Sequence, residues 1–123
     1  MTGTGRRPAT RVLAVVLGTA NLGLVVAPAG VAAAVAPGPR RSPPPALVRL
    51  LGTRVVLQQI VVLAAPTRRI VLLGVAADAL HAVSMVAAAL LWPPHRRAAA
   101  VSAATAGLSA VLELATAPSA PRS

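Results

Sequence analysis

The chain contains no cysteine, no phenylalanine, no tyrosine and a single tryptophan in 123 residues. Without cysteine there are no disulfides, no thiolate nucleophile and no thiolate metal ligands. Without ring side chains the ordinary soluble core is excluded, because such cores draw much of their buried bulk from aromatics. Lysine is absent too. All twelve basic residues are arginines, and only Asp78 and Glu113 oppose them, for a formal net charge of +10. Charged residues make up 11% of the chain, against about 25% in a typical soluble domain. The scarcity of acids leaves little material for paired-carboxylate catalysis. No Gly-rich phosphate loop, Walker sequence or G-x-S-x-G elbow is present, and no Ser/His/Asp set has defensible spacing. The expectation is therefore a protein that is not an enzyme, with no catalytic residue.

What the chain does have is hydrocarbon. Apolar residues account for 56% of it and the mean hydropathy is +0.76, the bulk coming from Ala, Val and Leu, which suit close helix packing in lipid. The apolar residues fall into four runs, at about 12–35, 46–65, 69–92 and 98–117. At a rise of about 1.5 Å per residue, a run of about twenty residues spans a hydrocarbon core of about 30 Å. The runs are separated by the proline-rich connector 37–45, the short turn Pro66-Thr67-Arg68-Arg69, and Trp92-Pro93-Pro94-His95-Arg96-Arg97, where Trp92 marks a membrane interface. The reading is an all-α, integral membrane four-helix bundle, one membrane domain over residues 1–123. Its alternative is a cleaved signal peptide plus three transmembrane helices. Arg6, Arg7 and Arg11 precede the first run as an n-region would, and small residues at 32–36 offer a cleavage site. The run is too long for an ordinary h-region and Pro37 disfavours cleavage, so the retained helix is expected.

The arginines punctuate the apolar runs in pairs instead of forming one patch. That pattern points to the lipid bilayer, not nucleic acid, as partner. Arg6, Arg7, Arg11, Arg68, Arg69 and Arg122 would share one side of the membrane, and Arg40, Arg41, Arg96 and Arg97 the other. The larger set predicts both termini on the cytoplasmic side.

The third run carries the chemistry. Gly74, Asp78, His81, Met85 and Trp92 share one helical face at about 100° per residue. Asp78 falls near mid-span, where a charge facing lipid costs at least about 2.5–3.5 kcal/mol. In the second run Arg54 is near mid-span, with Gln58 one turn on. Counted from the intervening turn, Arg54 and Asp78 sit at nearly the same depth in an antiparallel hairpin. They are expected to form a structural ion pair that fixes the hairpin's register. The functional alternative is a polar or proton site using Asp78, His81 and Gln58. Asp78-x-x-His81 has the spacing of bundle metal motifs, but the ligands run out at Asp78, His81, Glu113 and Met85, so neither metal nor cofactor is expected. Asn21 should make an interhelical hydrogen bond, and Ser84 should bond a backbone carbonyl. At least one of Gln58 and Gln59 should face the bundle. In the fourth run, Ala99, Ala103, Gly107 and Val111 form a small-residue row suited to close packing.

Arg49-Leu50-Leu51-Gly52-x-Arg54, Gln58, the run Leu73-Gly74-x-x-x-Asp78-x-x-His81-x-x-Ser84-Met85, and Arg96-Arg97-Ala98-Ala99 resemble small uncharacterised multi-pass membrane proteins of high-GC actinobacteria. The resemblance covers roughly residues 47–116. It implies a four-helix protein of a bacterial cytoplasmic membrane and brings no catalytic residue. The expected role is a non-enzymatic helper or structural membrane component. It would act by helix–helix contacts with a second copy of itself or with a larger membrane protein. The other role considered is a small transporter or proton-coupled subunit using Asp78 and His81.

Overall fold

A computed structural model describes residues 7–38 and 40–119. Among them all regular structure is helical: α1 (Arg7–Val26), α2 (Pro28–Val35), α3 (Pro45–Ala64), α4 (Arg68–Leu91) and α5 (Arg96–Thr116), with a 3-10 turn at Pro93–His95 leading into α5. Helices α1, α3 and α4, and the segment Pro93–Thr116, are each long and apolar enough to cross a bilayer. This is the layout of a multi-pass membrane bundle. Its outer surface is correspondingly apolar, with Val12, Leu57, Leu73, Leu80, Leu90 and Leu108 all exposed. A helix that is hydrophobic all round, as these are, belongs in lipid.

Most boundaries follow local chemistry. Pro45 opens α3 at its first position, where a missing N–H is harmless. Thr67 caps α4, its side-chain oxygen accepting from Ile70 N at 3.3 Å. The first apolar run departs from expectation. It is not one helix over 12–35 but two, broken at Ala27, whose φ of −132° and ψ of 59° leave the helical region. The cause is Pro28, which has no N–H to offer the carbonyl one turn back and crowds the preceding turn. Ala27 N still donates to Gly23 O, and Val31 N to Ala27 O, so the break is local.

Consecutive long segments run antiparallel. The closest backbone pairs are α1 with α3 and α4 with α5. Small residues explain both. A Cβ at Gly52 of α3 would stand 2.5 Å from the Leu24 Cβ and 3.0 Å from the Asn21 carbonyl of α1. In α5 the buried positions are Ala99, Ala106, Ala110 and Glu113. The expected row Ala99, Ala103, Gly107, Val111 is not the packing face beyond its first member. Gly107 faces open space and Val111 is exposed. Steps of four advance about 40° past a full turn each time, so a strict four-residue row winds off the interface, while alternating three and four stays on it.

The Pro66 turn does make α3 and α4 antiparallel, but their backbones stand apart. The side chains between them, Arg54, Gln58 and Leu63, are too long for a glycine-type approach. At the turn end the core is a cluster of Ala14, Val62, Val71 and Ala117, with Leu63, Ile70 and Val75 against it. Two cross-bonds tie that end: Thr10 Oγ1 to Thr116 O at 2.7 Å and Arg68 Nη1 to Pro118 O at 3.0 Å.

Candidate functional site

Halfway along the bundle, polar side chains from three helices meet. Arg54 projects from the middle of α3, and its Nη2 donates to Asp78 Oδ1 at 3.1 Å. Its Nη1 donates to Gln58 Oε1, also at 3.1 Å, one turn along its own helix. Gln58 Nε2 in turn faces two carboxylates, Asp78 Oδ2 at 3.3 Å and Glu113 Oε2 at 3.4 Å. The layer therefore reads Arg54–Asp78–Gln58–Glu113, joining α3, α4 and α5. Gly74 makes it possible: a Cβ there would lie 2.9 Å from both Gln58 Nε2 and Glu113 Oε2.

Burial is uneven across the layer. Asp78 is 2% exposed and Glu113 4%, whereas the Arg54 side chain is 34% exposed. Gln59 points the other way around α3, under α1, and is 2% exposed. Three atoms in this region are buried without a hydrogen-bond partner: Arg54 Nε, Gln59 Nε2 and Glu113 Oε1. Gln59 and Glu113 share, with Thr10 and Thr116, the wall of a cavity of about 10 Å³, room for one water molecule at most.

Of the residues singled out from sequence, Arg54, Asp78 and Gln58 come together in this layer. His81 does not join it directly. It sits one turn further along α4, with Nε2 and Ser102 Oγ of α5 sharing a hydrogen bond at 2.8 Å. Ser84 bonds Leu80 O within its own helix at 2.9 Å. Asn21 does the same, Nδ2 donating to Leu17 O at 2.8 Å, and not the interhelical bond expected. Both Gln58 and Gln59 face the bundle, since α3 has neighbours on two sides. Among the described residues no group of three His, Asp or Glu side chains is placed to hold a metal ion.

Glu113 is the member that sequence reasoning left out of the site. Its signal was present: it is one of only two acids in the chain, inside an apolar run. An ionisable residue in that setting faces protein by default. The arrangement sets one guanidinium against two carboxyl groups in a medium with little water. It can lock three helices together, and it can exchange a proton. No protein-family model, no curated protein and no solved structure matches this chain, so its role is argued from this geometry.

Proposed function

We propose that the protein is a multi-pass component of a bacterial cytoplasmic membrane that works without catalysis, by docking another transmembrane helix against the α3/α4 seam. The docked helix belongs to a second copy of the chain or to a larger membrane protein. The observation that carries this reading is the one-third exposure of Arg54 at mid-span. The α3 and α4 backbones stand apart there. A guanidinium facing hydrocarbon at that depth costs at least about 2.5–3.5 kcal/mol. A helix laid along the seam removes that exposure. The experiment is a photo-crosslinking amino acid placed at Leu57, which is exposed and one turn from Arg54, and at Val15 on the outer face of α1. Irradiation in native membranes should give a protein adduct from position 57 and none from 15. Lipid adducts alone at both positions would overturn the reading.

A second reading has its own observation, the two carboxyl groups facing one guanidinium. On that reading Asp78, with Gln58, Glu113 and His81, handles protons for a transport step. The protein reconstituted in vesicles enclosing a pH dye would then show a proton flux that D78N abolishes while the fold is kept. Such a flux would displace the docking role.

A further inference from the structure

A second feature lies at the opposite end of the bundle from the Pro66 turn. It is a cavity of about 350 Å³, walled by Leu24, Val31, Leu51, Met85, Trp92 and Ala99, so that every helix contributes. Its origin is legible in the fold. The break at Pro28 redirects α2, α5 brings only the small side chains Ala98, Ala99, Val101 and Ser102 to this depth, and the chain has no Phe, Tyr or second Trp to fill the space. The volume is that of a small-ligand site. Its wall is almost entirely hydrocarbon, the polar exceptions being His95 and Ser102, and Ser102 is already bonded to His81. Water needs two to four polar partners to occupy such a space. Trp92 both lines the cavity and is 61% exposed, so the cavity opens to the surroundings, which at this position are lipid.

Arginines flank the wall residues, Arg96 and Arg97 standing between His95 and Ala98 in the chain. Arg97 reaches across to the wall residue Val35, its Nε donating to the carbonyl at 2.6 Å. Arg96 Nε donates to Ala89 O at 3.0 Å. Among the described residues these are the hydrogen bonds that hold the two side chains, and both residues are exposed. Arg40 and Arg41 lie in the loop whose Pro43 and Pro44 close the cavity. His95 Nδ1 is buried without a partner. Both acids of the chain are in the polar layer, so nothing at this end offsets these charges.

We propose that this cavity is an acyl-chain slot for an anionic phospholipid, whose phosphate is held by Arg96 and Arg97. An apolar slot under a cluster of guanidiniums is complementary to a lipid tail under a negative headgroup, and a zwitterionic lipid supplies only half of that match. The site is separate from the α3/α4 seam and stands whether or not a helix docks there.

Trp92, the only tryptophan, reports on the slot. The protein is reconstituted in phosphatidylcholine vesicles doped with a few mole per cent of lipid carrying brominated acyl chains, either phosphatidylglycerol or phosphatidylcholine. Brominated phosphatidylglycerol should quench Trp92 severalfold more than the same amount of brominated phosphatidylcholine. R96Q/R97Q, which changes two exposed side chains, should erase the difference. A99L, which fills the slot, should lower quenching by phosphatidylglycerol. Equal quenching by the two lipids in the wild type overturns the proposal, the contact then being the general lipid shell or a neutral apolar guest. A preference that survives R96Q/R97Q also overturns it. So does a preference that A99L leaves unchanged, since that would be a surface headgroup patch without a slot.

Discussion

Removing the Arg54 guanidinium should cost the fold more than removing the Asp78 carboxylate, although the two form one ion pair. The reason is the third ionisable group, the buried Glu113 carboxyl. Asp78→Asn leaves Arg54 and Glu113 in the layer, one cation and one carboxyl group, still bridged by Gln58 through its bonds to both. Arg54→Met leaves Asp78 and Glu113, two carboxyl groups with no cation, Asp78 keeping Gln58 Nε2 at 3.3 Å. Breaking a buried pair so that one charge is stranded costs about 3–5 kcal/mol, and R54M should approach the lower end. D78N loses one charge-assisted hydrogen bond, about 1.5–3 kcal/mol, and should fall near the bottom of that range because Arg54 is partly exposed. The double variant should be more stable than the sum of the singles by about 1–3 kcal/mol, the coupling expected of residues in one network. Unfolding in mixed micelles by added dodecyl sulfate, followed by circular dichroism, measures all four proteins. If D78N is as damaging as R54M, Glu113 does not share the layer. If the two changes are additive, the ion pair does not hold the fold.

Gly74→Ala should destabilise by about 1–3 kcal/mol, the cost of overpacking, because its Cβ would press on Gln58 and Glu113; Gly107→Ala, with nothing within 4 Å, should be neutral or better, and the same titration compares them. Gly52→Val should cost more than either and free α1 from α3, read as new protease sensitivity in the connector that follows α2. The protein should stay with membranes through a high-pH carbonate wash, and recovery in the supernatant would contradict four membrane-spanning segments. Reporter fusions at the two ends should both be active in the cytoplasm; activity of both outside the cell would reverse the orientation.

The parts of the fold legible in the sequence are those set by local chemistry. Pro45, Pro66 and Pro93 stop or start helices wherever they stand, so α3, α4 and α5 fall within a few residues of the apolar runs. Pro28 carries the same signal, but it lies inside a run that hydropathy alone reads as continuous. The meeting of Arg54 and Asp78 was legible because it needs only depth, and depth follows from counting residues away from a short turn. Glu113 needed something else, the rotation of α5 about its own axis. Where alanine and other small residues lie on every face, composition does not fix that angle, and the four-residue row chosen from sequence was the wrong one. The Trp92 cavity was not legible at all. It depends on how α2 leaves α1, which is a matter of three-dimensional direction and not of residue type.

The same contrast explains why the polar layer sits where it does. The close pairs, α1 with α3 and α4 with α5, are made by glycine and alanine, and such contacts depend on shape. The two pairs touch where α1 meets α5, and across the wider gap between α3 and α4 they meet through longer side chains. Lipid is as apolar as leucine, so apolar surfaces facing that gap have no strong preference between burying each other and staying in the bilayer. Nor would they resist sliding by a turn, since one leucine-bearing turn resembles the next. A guanidinium with a carboxylate at 3.1 Å does resist it: a slide of one turn, about 5.4 Å, would strand Arg54, Asp78 and Glu113 together. The charges thus act with the Thr10–Thr116 bond at the turn end to set the register between the two pairs.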